Sequence, residues 1–219
     1  MRFRAIFLTA VTAVVALALV IAFGPTLEGQ EGRGKMALLA PIELDGEAPA
    51  TFKANFETTK GSFVVQVNRV WAPIGADRFH TLVSKGYYDG NPFFRVTDIL
   101  VQWGINGDPE VAKHWIGAKI QDDPSRVMAN RRGTVAFLQA NFRRTQTLIN
   151  MTDNPVLDRQ LAPVGEVIEG MDVLERLYPV EIAPAGTGPN FTELFRDGTP
   201  FLEKEHPMLD YIKMATIVP

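Results

Sequence analysis

The chain has 219 residues and a formal net charge of -3; 46% of its residues are hydrophobic, 21% are charged and none is cysteine. That balance suits one globular domain of ordinary size plus an added segment, and it offers no basic field for nucleic acid. The lack of cysteine excludes disulfides, thiolate metal sites and a cysteine nucleophile.

In chain order, Arg2 and Arg4 precede an uninterrupted apolar run from Ala5 to Gly24. The run is long enough to span a bilayer as a helix. Its basic flank predicts a cytoplasmic N-terminus, with the remainder of the chain outside the cytoplasm, periplasmic in a Gram-negative bacterium. Residues 1–24 therefore read as a stub and a membrane anchor in contact with lipid through residues 5–24. A cleavable signal peptide is the rival reading. Ala16-Leu17-Ala18 fits a cleavage site but lies inside the apolar run. Residues 25–50 are rich in Gly, Pro and Glu and read as an extended tether.

The globular part is expected over 51–219. "FKANFETTKGSFVVQV" holds two alternating runs around Thr59-Lys60-Gly61, a hairpin pattern. "APIGADRFHTLVSKG" follows as an amphipathic helix, with Pro73 in the first turn and Gly86 as the stop. "NPFFRV", "ILVQWGI", "GTVAFLQA", "QTLINM" and "APVGEVI" read as short strands. Gly170 to Tyr178 reads as a second short helix, and "LDYIKMATIV" as a final strand. The pattern predicts a mainly β fold, a closed or nearly closed barrel capped by two helices.

Reactive constellations are missing. His80, His114 and His206 have no ligand-like spacing, so no metal is expected. Asp122-Asp123 precedes a proline and reads as a turn rather than an acid–base pair. Gly186 and Gly188 lack the Lys-Ser/Thr of a phosphate loop, and no nucleotide fingerprint or nucleophile elbow is present, so no cofactor is expected.

The order of the fragments is informative in its own right. "FETTKGSFVVQV", "ADRFHTLVSKGYYDGNPFFRV", "VQWG", "RRGTVAFLQA", "TQTLIN", "LAPVGEVIEGMDVLERL" and "LDYIKMATIV" resemble, in sequence and order, a cyclophilin-type peptidyl-prolyl isomerase. The resemblance runs through nearly everything after residue 51. It implies an eight-stranded antiparallel β-barrel with a helix at each end, no cofactor, and proline-containing polypeptide segments as substrate.

Such a catalyst needs no nucleophile. Rotation about an Xaa-Pro bond loses amide resonance, a barrier of roughly 18–20 kcal/mol. It is lowered by an apolar seat for the proline ring and a hydrogen-bond donor to the imide nitrogen. A guanidinium suits the donor role because it stays charged and holds its donors in a fixed fork. By the resemblance, Arg95 matches the catalytic arginine and Gln102 the glutamine of the same groove. Ile99, Leu100, Leu148 and Leu157 match proline-facing positions, Gln146 matches a groove glutamine, and Phe94, Gln139 and Ala140 are further groove positions.

The sequence departs from the family pattern at this groove. "TDIL" is one residue short between Arg95 and Gln102, and "NFRR" shortens the loop before Thr145 by about two residues. Val156 and Leu161 stand where many members have tryptophan and histidine, Ile99 and Leu148 where Phe is usual, and Leu100 where a Met-like residue is usual. In a strand, a one-residue change can turn a side chain to the other face. Two readings follow. One is a membrane-anchored accessory subunit of a membrane protein complex whose isomerase activity is weak or lost. The other is an active prolyl isomerase acting on exported or membrane proteins.

Overall fold

The computed structural model describes residues 34, 35, 37–40, 47–124, 127–138 and 145–219. Among them no helix is long and apolar enough to cross a membrane. The run 5–24 read as an anchor lies outside the described residues.

Strands β1 (Thr51–Thr58) and β2 (Gly61–Asn68) form the expected hairpin, Thr58 opposite Gly61 across a two-residue turn. Alternation sends Phe52, Ala54 and Phe56 of β1, and Phe63, Val65 and Val67 of β2, to one buried face. Phe56 and Phe63 are direct cross-strand partners and stack with ring centroids 4.9 Å apart. Each such side chain removed from water contributes about 2–3 kcal/mol.

Helix α1 (Pro73–Ser84) begins at the expected proline, and Ala72 before it has no side chain that could cap. The cap comes from a distant loop. Asp123 Oδ1 accepts from Ile74 N at 2.8 Å, and Oδ2 accepts from Gly75 N at 2.7 Å. This is the role of the Asp122-Asp123 doublet's second carboxylate. It is buried, and it satisfies two N–H groups that the helix cannot pair internally. Asp123→Ala is expected to lower unfolding stability by about 2 kcal/mol, read as a shift in the urea midpoint at constant slope.

The remaining strands are β3 (Arg95–Val96), β4 (Leu100–Trp103), β5 (Thr134–Phe137), β6 (Thr147–Asn150), β7 (Pro163–Glu169) and β8 (Ile212–Val218). They form one eight-stranded sheet in the order β3-β4-β6-β5-β7-β2-β1-β8, antiparallel at every pairing. The sheet curls into a half-barrel around Phe56, Phe79, Tyr88, Phe93 and Trp103. Its two edge strands do not pair along their length. Pro92, ahead of β3, has no N–H to extend a ladder and makes only an isolated bridge to Tyr211, next to the bond from Phe93 N to Asp210 O. The segment before Arg95 bonds to residues 210–212 instead, so β3 is shorter than the expected "NPFFRV" strand.

Helix α1 packs on β7 and β8, while α3 (Met171–Glu175), the second expected helix, packs on β2. Two helices do not complete the set. The described residues also include α2 (Pro109–Trp115), α4 (Phe191–Arg196) and α5 (Gly198–Glu205), and a single 3-10 turn at Pro155–Leu157. The start signals of α2 and α4 are local. Asp108 accepts from Glu110 N and Val111 N ahead of Pro109, and Asn190 and Glu193 form a reciprocal capping box.

Part of the stretch read as a tether is docked. Lys35 Nζ pairs with Asp108 at 2.7 Å and Glu110 at 2.9 Å, and Trp115 Nε1 donates to the Leu38 carbonyl at 2.8 Å. Leu38 and Ala48 are buried with the main core.

Candidate functional site

The hairpin between β3 and β4 decides where the two singled-out polar residues point. Val96 pairs with Val101, and Thr97 N donates to the Leu100 carbonyl, so only Asp98 and Ile99 form the loop. Thr97 Oγ1 accepts from Ile99 N at 3.3 Å and Leu100 N at 3.2 Å and pins the turn. The short "TDIL" connection is thus absorbed as a two-residue hairpin, and Arg95 stands directly opposite Gln102. Directly opposed residues share a face of the sheet.

The same register continues across the sheet. Gln102 faces Leu148 on β6, and Leu148 faces Ala136 on β5. Val96, Val101, Trp103, Val135 and Ile149, the alternating neighbours, point into the half-barrel core. Arg95, Leu100, Gln102, Leu148 and Ala136 therefore occupy the outer face. There Ala136, Leu148 and Leu161 form an apolar floor, with Leu100, Leu138 and Leu157 packed around it.

The polar rim is held by specific bonds. Gln102 Nε2 donates to Gln146 Oε1 at 2.9 Å, and both side chains are buried. Gln146 follows Thr145, whose carbonyl accepts from the Tyr88 hydroxyl at 3.2 Å. Burial pushes the Tyr88 phenol far above its ordinary value, so it remains a donor at any physiological pH. Arg95 is about one-third exposed, and its Nε contacts both Glu181 carboxylate oxygens, at 2.8 and 3.0 Å. Among the described residues, neither Nη of Arg95 is in a hydrogen bond. The segment carrying Leu157 and Leu161 is tied down by Asn130, whose N donates to Asp158 Oδ1 at 2.6 Å and whose Nδ2 donates to the Leu161 carbonyl at 3.1 Å.

The structure thus brings together Arg95, Gln102, Gln146, Leu100, Leu148 and Leu157 of the residues expected from the sequence. Two others are placed elsewhere. Phe94, expected at the groove, is fully buried just ahead of β3 in a separate cluster with Ile105, Leu194 and Leu202, because α4 and α5 cover it. Ile99, expected as a proline-facing wall beside Leu100, is 53% exposed at the hairpin tip and outside the leucine cluster, since the shortened loop leaves it no strand neighbour. Gln139 and Ala140 lie outside the described residues. Residues of this face not anticipated from the sequence are Ala136, Leu138 and Glu181. The first two were legible from the alternation of β5, but Glu181 lies 86 residues from its partner and carried no local signal. A cavity of about 380 Å³ between α5 and the start of β8, lined by Pro92, Leu202, His206 and Tyr211, shares no residue with this face. Among the described residues there is no cluster of side chains suited to a metal ion.

The fold is that of solved cyclophilins. The chain superposes on a cyclophilin type peptidyl-prolyl cis-trans isomerase from Cryptosporidium parvum with a TM-score of 0.56 and 17% identity, covering 77% of this chain and 98% of that one. A second structure of that protein, in the presence of the dipeptide Ala-Pro, gives a TM-score of 0.54. A peptidyl-prolyl cis-trans isomerase of Acinetobacter baylyi is 27% identical over 161 residues, 70% of this chain and 86% of that protein. The isomerase cyp18 of Streptomyces antibioticus is 30% identical over 136 residues, covering 57% and 81%. The family model for cyclophilin type peptidyl-prolyl cis-trans isomerase/CLD matches residues 53–189, and the chain belongs to that family.

Proposed function

We propose that this chain is a working prolyl cis-trans isomerase of modest turnover. In this reading it is tethered to a membrane through residues 5–24, and its domain acts outside the cytoplasm on proline-containing segments of exported or membrane proteins. The observation that carries the catalytic part is the register that sets Arg95 opposite Gln102 beside the Leu148 floor. The proline ring would rest on Leu100, Leu148 and Leu157. Gln102 and Gln146, bonded to each other, would fix the peptide carbonyl, and an Nη of Arg95 would donate to the imide nitrogen as it pyramidalises. Leucines offer the ring less polarizable contact than aromatic or methionine side chains, which supports the modest turnover. The dipeptide Ala-Pro in the presence of which the Cryptosporidium parvum protein was solved supports the substrate class.

The second reading is an accessory subunit of a membrane protein complex with lost isomerase activity. It is favoured by the closed floor, where Leu148 is 3% and Leu161 6% exposed.

The two are separated by exchange NMR on an Ala-Pro peptide with the full-length chain in detergent micelles. Acceleration of cis/trans exchange at catalytic protein concentration is the expected result. Peptide binding without acceleration would reject catalysis in favour of the accessory role. The tether is tested by fractionation: the protein should stay with membranes through a high-salt, alkaline wash, and release into the wash would reject it.

A further inference from the structure

The acid that meets Arg95 is placed by backbone as much as by charge. Val96 and Val180 exchange both bonds of an antiparallel bridge, Val96 N to the Val180 carbonyl at 2.7 Å and Val180 N to the Val96 carbonyl at 2.9 Å. Continuing that register by one residue sets Glu181 opposite Arg95 on the side away from Gln102. Val96 and Val180 point into the core, so Arg95 and Glu181 point to the outer face. Across the sheet the row reads carboxylate, guanidinium, amide, leucine: Glu181, Arg95, Gln102, Leu148.

The loop after Glu181 holds it rigidly. Gly188 N donates to the Glu181 carbonyl at 2.9 Å, and Ile182 N donates to Glu181 Oε1 at 3.0 Å. The loop passes so close that a Cβ on Gly186 would lie 2.5 Å, and one on Gly188 2.8 Å, from the Glu181 carbonyl oxygen. These two glycines serve close packing around the acid.

We infer that Glu181 is a positioning residue for the groove: it locks the Arg95 guanidinium through Nε and leaves the Nη donors to the peptide. An arginine at a strand end has freedom about four side-chain torsions, and a donor displaced by an ångström loses most of its effect on a transition state. The lock at Nε fixes the guanidinium plane while the partner's own position is set by the Val96–Val180 bridge and the glycine loop. Bonding through Nε spends a donor the substrate does not require and leaves the two Nη groups facing outward from the lock. The inference rests on the isomerase reading for its rate consequence, but the lock itself can be read without turnover.

The test uses the full-length protein in detergent and compares the parent with Glu181→Ala and Glu181→Gln. An amide oxygen can still accept from Nε, so the glutamine variant keeps the lock without the charge. Glu181→Ala is expected to lower kcat about tenfold with KM changed less than about twofold, and Glu181→Gln to recover most of the loss. In parallel, the Arg95 Nε–H resonance should exchange slowly with solvent in the parent and the glutamine variant, and fast in the alanine variant. Glu175→Ala, which removes an exposed partner of Arg132, should change none of these. Unchanged kcat and Nε–H exchange in Glu181→Ala overturn the inference, and so does a rise in kcat, which would make the carboxylate an inhibitor of the guanidinium. If the parent itself shows no turnover, the isomerase reading fails, and the Nε–H exchange alone decides whether Glu181 locks Arg95.

Discussion

Arg95→Ala is expected to reduce kcat/KM for cis/trans exchange of an Xaa-Pro peptide by about 10²–10³-fold, the loss typical for removing one preorganised donor to a developing charge. Peptide affinity should fall far less. The apolar floor of Ala136, Leu148 and Leu161 is untouched, and the buried bond between Gln102 and Gln146 survives. The loss belongs to kcat because the imide nitrogen becomes a good acceptor only as the bond twists and its lone pair localises. Arg95→Lys is the sharper variant. It keeps the positive charge but offers a point donor without a fork, and it lacks the Nε that meets Glu181 at 2.8 and 3.0 Å. Its rate should lie near that of alanine if geometry dominates and near the parent if charge dominates. The exchange experiment with saturating peptide separates kcat from affinity. A rate for Arg95→Ala within about threefold of the parent would remove the guanidinium from the mechanism, since preorganised donors act by more than that.

The largest effect on stability is expected at Gly104, where β4 leaves the sheet beneath the start of β6. Its φ is +107°, a region L side chains rarely adopt, and a Cβ there would sit 2.2 Å from the Thr145 carbonyl oxygen and 2.7 Å from the Gln146 Cα. Both clashing atoms are backbone, so neither can swing aside. Gly104→Ala must push Thr145 and Gln146 outward, which strains the Tyr88 bond to Thr145 and the Gln102 bond to Gln146. A destabilisation of about 3–5 kcal/mol is expected, which for a chain of this size lowers Tm by about 10 °C. Gly117 is the control: a Cβ there meets nothing within 4 Å, so Gly117→Ala should change stability by no more than about 0.5 kcal/mol. Equal melting of the two variants would reject the close-approach account. The link to function is direct, because any Gly104→Ala protein that folds carries a displaced Gln146.

These expectations place the groove's behaviour in its supports as much as in its lining. Gln146 is set by Tyr88 and Gly104, the segment of Leu157 and Leu161 by Asn130, and Arg95 by Glu181. Each support comes from a part of the chain remote in sequence from the residue it holds.

What the sequence determined by itself was local and periodic. Period-two alternation is a property of successive side chains, so the hairpin of β1 and β2 and the inward set Phe52, Ala54, Phe56 could be read directly. Pro73 and the apolar stripe behind it announced α1, and the ordered fragments carried the family. Helices α2, α4 and α5 escaped because six to eight residues hold too few periods; α2 and α4 were marked only by their caps, Asp108 with Pro109 and Asn190 with Glu193, and α5 has no side-chain cap. The tertiary structure decided the register. The spacing of Arg95 and Gln102 was compatible with either face until a two-residue loop at Asp98-Ile99 put them opposite each other. It decided also that Phe94 would be covered by α4 and α5, that Asp123 would cap α1, and that Glu181 would meet Arg95. Those contacts join segments dozens of residues apart, and a one-dimensional pattern has no term for a partner that only folding brings near.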